Sequence, residues 1–248
     1  MNNTVTHLSH LVAADTQNPP RKITSNSHVF EYLSEQLAGF EIEVSDLGEG
    51  CVIFHAVRGN PSQVFNFHLD TVPASEQWTK NPFELHVDDD KAYGLGACDI
   101  KGALACMLTV AQQTTGDLSL LVTSDEEAGN SHCVRHFVAQ PHDYQAVVVA
   151  EPTGCRAVTA HRGVISATLT FDGIPGHGSE ARALNDNAIH KAMNWGHDAL
   201  SYVASRQEES FENLQGIRMN VGTIQGGIKP NVIAPNAKMR LGVRTLPE

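Results

Sequence analysis

His68 and Asp70 close an apolar run at residues 64–69 whose valine and phenylalanines predict a β-strand. Because side chains alternate along a strand, His68 and Asp70 point to the same side of it. We interpret His68 as a metal ligand and Asp70 as the acceptor that fixes the orientation of its ring. A partly buried histidine beside a solvated acid is the alternative that this pair alone leaves open.

Asp99 lies in the glycine-flanked segment GLGACDIKG at residues 94–102, where a helical pattern at 101–113 begins. Its carboxylate has two possible roles. It can cap the helix N-terminus, or it can bridge two cations with one oxygen on each. The segment by itself favours neither role.

Acidic residues follow two further apolar runs, SDEE at 124–127 after the run 118–123 and Glu151 after the run 146–150. Three successive acids at the end of a buried strand repel one another unless a cation neutralises them. Open α/β sheets place their sites just beyond such strand ends. A solvated loop is the alternative explanation for each acidic segment.

Together, these positions supply one imidazole and three carboxylates, from His68, Asp99, Glu127 and Glu151. Such a mixed nitrogen and oxygen set suits zinc or cobalt in a hydrolytic site with two divalent metal ions. Glu126 then remains for proton transfer: it would deprotonate an activated water and return the proton to the leaving nitrogen.

The elements that must position these residues alternate between helix and strand in the first part of the chain. Helical patterns occur at 5–13, 25–37 and 101–113, and strand patterns occur at 51–57, 64–69, 118–123 and 146–150. This alternation predicts an α/β sheet with helices on both faces.

The pattern changes near residue 160. Longer alternating strands at 164–171, 216–224 and 237–243, with one helix at 187–206, predict a second, α+β domain.

Composition narrows the class of protein. The 248 residues carry 28 acidic and 17 basic side chains, a net charge of −11 that argues against a nucleic-acid partner. The five cysteines are odd in number and include no CxxC pair, which argues against a framework of disulfide bonds and favours a cytoplasmic protein. The sequence shows neither a leader pattern nor an apolar run long enough to span a membrane, so we expect no membrane association.

Four motifs occur in order: HLDTVP at 68–73, GLGACDIKG at 94–102, SDEEAG at 124–129 and AEPT at 150–153. In this order and spacing they resemble the M20 family of metallo-amidohydrolases. Within the family, the chain is most similar to acetylornithine deacetylases and their acetylcitrulline deacetylase relatives. That likeness also includes NPP at 18–20, AHRG at 160–163 and GGIKPNVIAP at 226–235.

The resemblance implies a fold and a domain plan. Residues 1–160 would be the first part of a zinc-peptidase-like catalytic domain with a mixed sheet and flanking helices. Residues 161–248 would be an inserted α+β lid and dimerisation domain, which makes a homodimer the expected assembly.

The resemblance also implies site roles. His68 and Glu151 would bind one metal, Asp99 would bridge, Glu127 would bind the other metal, and Glu126 would be the general base. Asp70 would lie behind His68, and His177 would stabilise the oxyanion, in many family members in the partner's site. Taken alone, His177 could equally be a loop histidine without function. Asn231 and Arg244 would be substrate-binding or structural residues.

Lys229 is a further substrate-binding candidate. A cation near the substrate tail would favour neutral citrulline over cationic ornithine by repulsion. An exposed turn lysine is the alternative.

Family members return after the lid domain and bring a histidine for the second metal. No such histidine is read before residue 248, since His190 and His197 lie in the helical pattern of the lid. We therefore expect the returning part of the catalytic domain to be absent from this sequence, through gene truncation or because the sequence is a piece of a longer protein.

The implied activity is removal of the acetyl group from an N-acyl amino acid, N-acetylornithine or N-acetylcitrulline, in arginine biosynthesis. Three alternatives remain open: a dipeptidase, a succinyl-diaminopimelate desuccinylase, and a catalytically incomplete metal-binding fragment.

Overall fold

A mixed five-stranded sheet forms the centre of the first part of the protein. The structure is a computed structural model that describes residues 3–20, 22–129 and 131–247. The chain divides into two units, Met1–Cys155 and Arg156–Glu248.

The first unit contains seven strands and four α-helices among its described residues. The strands are β1 (Glu41–Asp46), β2 (Val52–Arg58), β3 (Gln63–His68), β4 (His86–Asp88), β5 (Lys91–Tyr93), β6 (Leu118–Thr123) and β7 (Ala146–Val149). The helices are α1 (Asn3–Ala13), α2 (His28–Gln36), α3 (Gly102–Gln113) and α4 (His132–Val138), with a π-helical turn at Ala97–Lys101.

The order of the sheet is β1-β2-β6-β3-β7, while β4 and β5 form a separate hairpin. Strands β1, β2 and β6 pair antiparallel, whereas β3 pairs parallel with both β6 and β7. The carboxyl ends of β3, β6 and β7 therefore meet at one edge of the sheet.

Strand β6 is the centre of the core, and all six of its residues are buried. Leu120 and Val122 pack with apolar side chains of α1, α2 and α3 on one face, and Leu121 packs with Cys133 and Phe137 of α4 on the other. Helices thus cover both faces of the sheet, which confirms the predicted α/β class with a mixed sheet.

The structure differs from the sequence-based expectation in one helix start and in several unpredicted elements of the first unit. Helix α2 begins at His28 rather than near residue 25, because Thr24 and Ser27 first form a turn held by reciprocal hydrogen bonds. Strands β1, β4 and β5 and helix α4 were not predicted.

The second unit has a three-stranded antiparallel sheet with β12 (Asn236–Thr245) between β8 (Gly163–Asp172) and β11 (Arg218–Gly226). Helix α6 (Ala188–Ser205) packs on it through Ala188 and Ala192, against Met239 and Leu241 of β12. The remaining elements are short: α5 (Ala183–Asp186), β9 (Ser210–Phe211) and β10 (Leu214–Gln215).

None of the helices in the described ranges combines the length and the apolar character needed to cross a bilayer.

Candidate active site

Imidazole and carboxylate groups gather at the carboxyl ends of the three parallel strands. His68 is the last residue of β3, the acidic segment at 124–127 follows β6, and Glu151 lies two residues beyond β7. The parallel pairing of these strands brings together residues that are more than 80 positions apart in the sequence.

The ring of His68 is held between two aspartates. Its Nδ1 lies 3.0 Å from the main-chain carbonyl oxygen of Asp70, and its Nε2 lies 3.0 Å from Oδ1 of Asp99. Because a carbonyl oxygen only accepts, Nδ1 carries a proton and donates it. The Nε2 lone pair and the Asp99 carboxylate are then two acceptors face to face, an arrangement that requires a proton or a metal cation between them.

The electrostatics of His68 agree with this geometry. Burial of the ring by itself would lower its pKa, but the hydrogen bond and charge of Asp70, together with the charge of Asp99, raise the pKa to about 9. A proton therefore occupies the position between His68 and Asp99 when no cation is bound, and a divalent cation can replace it.

Asp99 does not cap helix α3. The helix begins at Gly102, and the backbone of Asp99 is non-helical, with φ −119° and ψ 89°. The preceding turn passes so close to the strand end that a Cβ at Gly96 would lie 2.6 Å from the Thr71 side chain, and Gly96 also has a φ of +74°. This turn directs the Asp99 carboxylate towards His68 instead.

Glu151 completes a three-residue cluster. One donor atom from each of His68, Asp99 and Glu151 lies within 4.8 Å of the other two. Zinc–oxygen and zinc–nitrogen bonds are about 2.0–2.2 Å long, so two ligand atoms on one tetrahedral zinc ion lie about 3.4 Å apart, and side-chain movements of about 1 Å or less would bring these three atoms to that spacing. The cluster therefore fits a divalent metal ion by both its donor types and its spacing.

Glu127 belongs to the same electrostatic neighbourhood. Burial raises the pKa of Glu127 and of Glu151, His68 opposes that rise, and the charges of Asp99 and Glu126 add to it. Carboxylates crowded in this way repel one another, and a bound cation would relieve the repulsion.

Asp70 connects the histidine to the acidic loop. Its carboxylate accepts hydrogen bonds from the main-chain N–H groups of Glu126, at 3.2 Å, and Glu127, at 2.8 Å. The same carboxylate lies 3.7 Å from Nδ1 of His68. One buried side chain thus positions the histidine and both glutamates.

A narrow cleft of about 40 Å³ opens beside the cluster. His68, Asp125, Glu126 and Glu151 line it on the polar side. This volume is sufficient for a water molecule, and Glu126 adjoins it.

The remaining predicted site residues lie in the second unit. The turns that carry His177 and Asn231 are joined by a main-chain hydrogen bond of 2.9 Å from Gly178 N–H to Asn231 O. Lys229 lies in the second of these turns and is exposed. Arg244 lies at the other end of β12, opposite Arg218. The structure therefore groups His177, Lys229 and Asn231, and separates Arg244 from them.

Sequence analysis missed two supporting residues. Asn18, known beforehand only as part of the NPP motif, is fully buried and donates from Nδ2 to the carbonyl of Ser124 at 2.7 Å. Lys101 is also buried and donates from Nζ to the carbonyl of Ala14 at 3.0 Å. Burial lowers the pKa of Lys101 to about 7, against the opposing charges of Asp15 and Asp70. Polar residues in the motif segments are the only signal that pointed to them.

Comparison with known proteins agrees with the motifs. The family model for peptidase family M20/M25/M40 matches residues 64–241. N-acetyl-L-citrulline deacetylase of Xanthomonas campestris pv. campestris is 47% identical over 244 residues, which are 98% of this chain and 67% of that protein. Acetylornithine deacetylase of Pasteurella multocida is 29% identical, over 96% of this chain and 67% of that protein. The chain thus spans about two thirds of the length of these relatives.

The fold is also found in solved structures. A tripeptidase from Staphylococcus aureus superposes with a TM-score of 0.62 at 20% identity, over 98% of this chain and 66% of that one. Human carnosine dipeptidase 1 superposes with a TM-score of 0.59 at 16% identity, over 99% and 70% of the two chains. With the family model matching most of its length, the chain belongs to peptidase family M20/M25/M40 and is a metal-dependent amide hydrolase.

Proposed function

We propose that the protein removes the acetyl group from an N-acetylated amino acid in arginine biosynthesis, with N-acetyl-L-citrulline as the preferred substrate over N-acetyl-L-ornithine. The observation that carries this proposal is the pair of acceptors, His68 Nε2 and Asp99 Oδ1, facing each other at 3.0 Å beside Glu151. The 47% identity to a deacetylase of acetylcitrulline supports the choice of substrate.

In this proposal the site holds two divalent metal ions, zinc or cobalt. By the family resemblance, His68 and Glu151 would hold one ion, Asp99 would contact both, and Glu127 would hold the other. The nitrogen and oxygen donors suit these metals. When bound, such ions lower the pKa of water and polarise an amide carbonyl.

Glu126 is the proposed general base. It takes a proton from the attacking water and returns it to the amine nitrogen as the amide bond breaks. Its position on the cleft beside His68, and the hydrogen bond from its N–H to Asp70, support this role. Asp70 is the proposed positioning residue, because its carboxylate contacts both the ring of His68 and the acidic loop.

The roles of His177, Asn231 and Arg244 in the second unit rest on the family resemblance, and that of Lys229 rests on its charge. His177 is the proposed donor to the oxyanion of the tetrahedral intermediate, and Lys229, Asn231 and Arg244 are proposed to bind substrate. We also propose a lid role for residues 161–248, a homodimeric assembly and a cytoplasmic location.

The test is amide hydrolysis of four substrates: acetate release from N-acetyl-L-citrulline and N-acetyl-L-ornithine, release of a free amino acid from a dipeptide, and succinate release from N-succinyl-diaminopimelate. Each is assayed with zinc or cobalt and again after chelation. Because the chain spans about two thirds of its relatives' length, the assay also includes a fusion to the unmatched portion of the Xanthomonas deacetylase.

Metal-dependent turnover of N-acetyl-L-citrulline above the other amides is the expected result. Preferred cleavage of the dipeptide or the succinyl amide, by either protein, would overturn the substrate assignment. Cation binding without turnover in both proteins would favour a non-catalytic fragment.

A further inference from the structure

Two thiols and a carboxylate meet on the α4 side of the sheet. Cys51 directly precedes β2, Cys133 lies in the first turn of α4, and Asp125 begins the acidic loop after β6. Their two Sγ atoms and one carboxylate oxygen all lie within 4.8 Å of one another. All three side chains are buried, with at most 3% of each residue exposed.

The spacing suits a shared cation. Two sulfurs that each bond a zinc ion at about 2.3 Å are at most about 4.6 Å apart. At a tetrahedral angle the two sulfurs would lie about 3.8 Å apart, so Sγ atoms that are within 4.8 Å of each other need approach by no more than about 1 Å. Asp125 is already fixed in orientation, because its Oδ2 accepts the main-chain N–H groups of His132 and Cys133, the latter at 3.0 Å.

The chemistry of these donors differs from that of the His68 cluster. Sulfur is a soft donor that selects zinc, copper(I) and related ions over magnesium or calcium. The charge of the donors also differs. Burial raises the pKa of the Cys133 thiol, so without a cation this thiol keeps its proton and is neutral, whereas the His68 cluster contains carboxylates.

We propose that Cys51, Asp125 and Cys133 form a second cation site, separate from the His68 cluster, for a thiophilic d¹⁰ cation such as Zn²⁺, Cu⁺ or Cd²⁺. On binding, each thiol releases its proton to solvent and each sulfur forms one bond to the cation. The ion would tie together the start of β2, the start of α4 and the loop that carries Glu126. A bound ion would therefore restrict the movement of the loop that carries the proposed general base.

The test uses Cd²⁺ as the probe and a parent variant in which the three exposed cysteines, Cys98, Cys106 and Cys155, are replaced by serine. Chelated parent protein is titrated with Cd²⁺ while the ultraviolet sulfur-to-cadmium charge-transfer absorption is recorded. The His68 cluster contains no sulfur and cannot produce this band, so failure of the proposed deacetylase activity would not affect the result.

Because the His68 cluster can also take Cd²⁺, the titration is continued until both sites are filled, by which point the band should have developed in the parent and its melting temperature should have risen. Adding Cys51→Ala or Cys133→Ala should reduce the band to half or less, whereas adding Glu151→Gln should leave it intact. No band in the parent would overturn the proposal and leave Asp125 as a helix cap between two core cysteines. A full band in both alanine variants would overturn it as well.

Circular dichroism shows whether each variant folds. If an alanine variant does not fold, the corresponding serine variant replaces it. If neither variant folds, the absence of the band in the parent still overturns the proposal.

Discussion

The carboxylate of Asp70 accepts a hydrogen bond from the main-chain N–H of Glu127 at 2.8 Å. The same side chain faces the ring of His68, so the end of β3 and the loop after β6 are positioned by one buried group. Asp70 therefore acts on two proposed metal ligands and on the proposed general base between them.

Replacing Asp70 by Asn tests this relationship. The amide nitrogen of Asn cannot accept, so at least one loop N–H loses its partner, and we expect unfolding free energy to fall by about 1–3 kcal/mol. The metal affinity should fall by about 10- to 100-fold, because the negative charge beside His68 and the support of the acidic loop are lost, although the main-chain carbonyl that accepts from Nδ1 remains. Urea unfolding and calorimetric zinc titration measure the two effects.

Asp88→Asn is the matched control for that variant, because Asp88 is exposed in the β4–β5 hairpin. It should leave both stability and metal affinity unchanged. Wild-type zinc affinity in Asp70→Asn would rule out its role as a positioning residue.

Replacing Glu151 by Gln should weaken metal binding with little effect on folding. Most of the Glu151 residue is exposed and only its carboxyl group is partly shielded from water, since that group faces His68 and Asp99 rather than the core. Because a direct ligand is lost, we expect the affinity to fall by more than about 10-fold. The metal content of each variant is measured after dialysis, with Glu84→Gln as the control. If Glu151→Gln retained as much metal as Glu84→Gln, Glu151 would not be a ligand.

We expect the burial of His55 to make the free energy of unfolding depend on pH. Burial, and then the charge of His142, lower the pKa of His55, while Glu43 opposes the shift. The unfolded state therefore binds the proton more readily, so stability falls as pH drops below about 6.5, the ordinary histidine value. Tyr144 and Ser119 hydroxyls hold the ring at 3.0 and 3.1 Å.

Urea unfolding at two pH values, one on each side of this midpoint, measures the effect. His55→Gln should lose less stability on acidification than the wild type does. His28→Gln, at a side chain that is 99% exposed, should behave like the wild type. An equal acid sensitivity in His55→Gln would show that His55 is not responsible.

Sequence alone predicts the strands that carry strong apolar signals. The run 118–123 was predicted as a strand and forms β6 with the same bounds, because all six residues are buried. By contrast, β1 reads EIEVSD and is an exposed edge strand with three acidic residues, so its pairing with β2 left no apolar signal. Helix α4 has only seven residues, two of them histidines, and too few turns for a periodic pattern.

The same distinction holds for the candidate site. The approach of His68 and Glu151 followed from their places at strand ends, since parallel strands align those ends, whereas the glycine-flanked segment of Asp99 left its role as helix cap or metal ligand open. The contacts of Asp70 with the acidic loop were not predictable, because their donors are main-chain N–H groups that every residue carries. The Cys51–Asp125–Cys133 group was missed for a similar reason, because its members come from three elements, one of which was not predicted.

The most direct test of the account compares Glu126→Gln with Glu84→Gln and the wild type, in whichever form of the protein turns over N-acetyl-L-citrulline. Acetate release and bound metal are measured on the same samples. We predict that Glu126→Gln keeps its metal and loses about 10²- to 10⁴-fold in kcat, the usual contribution of a general base. Unchanged turnover in Glu126→Gln, with metal retained, would contradict the proposed mechanism.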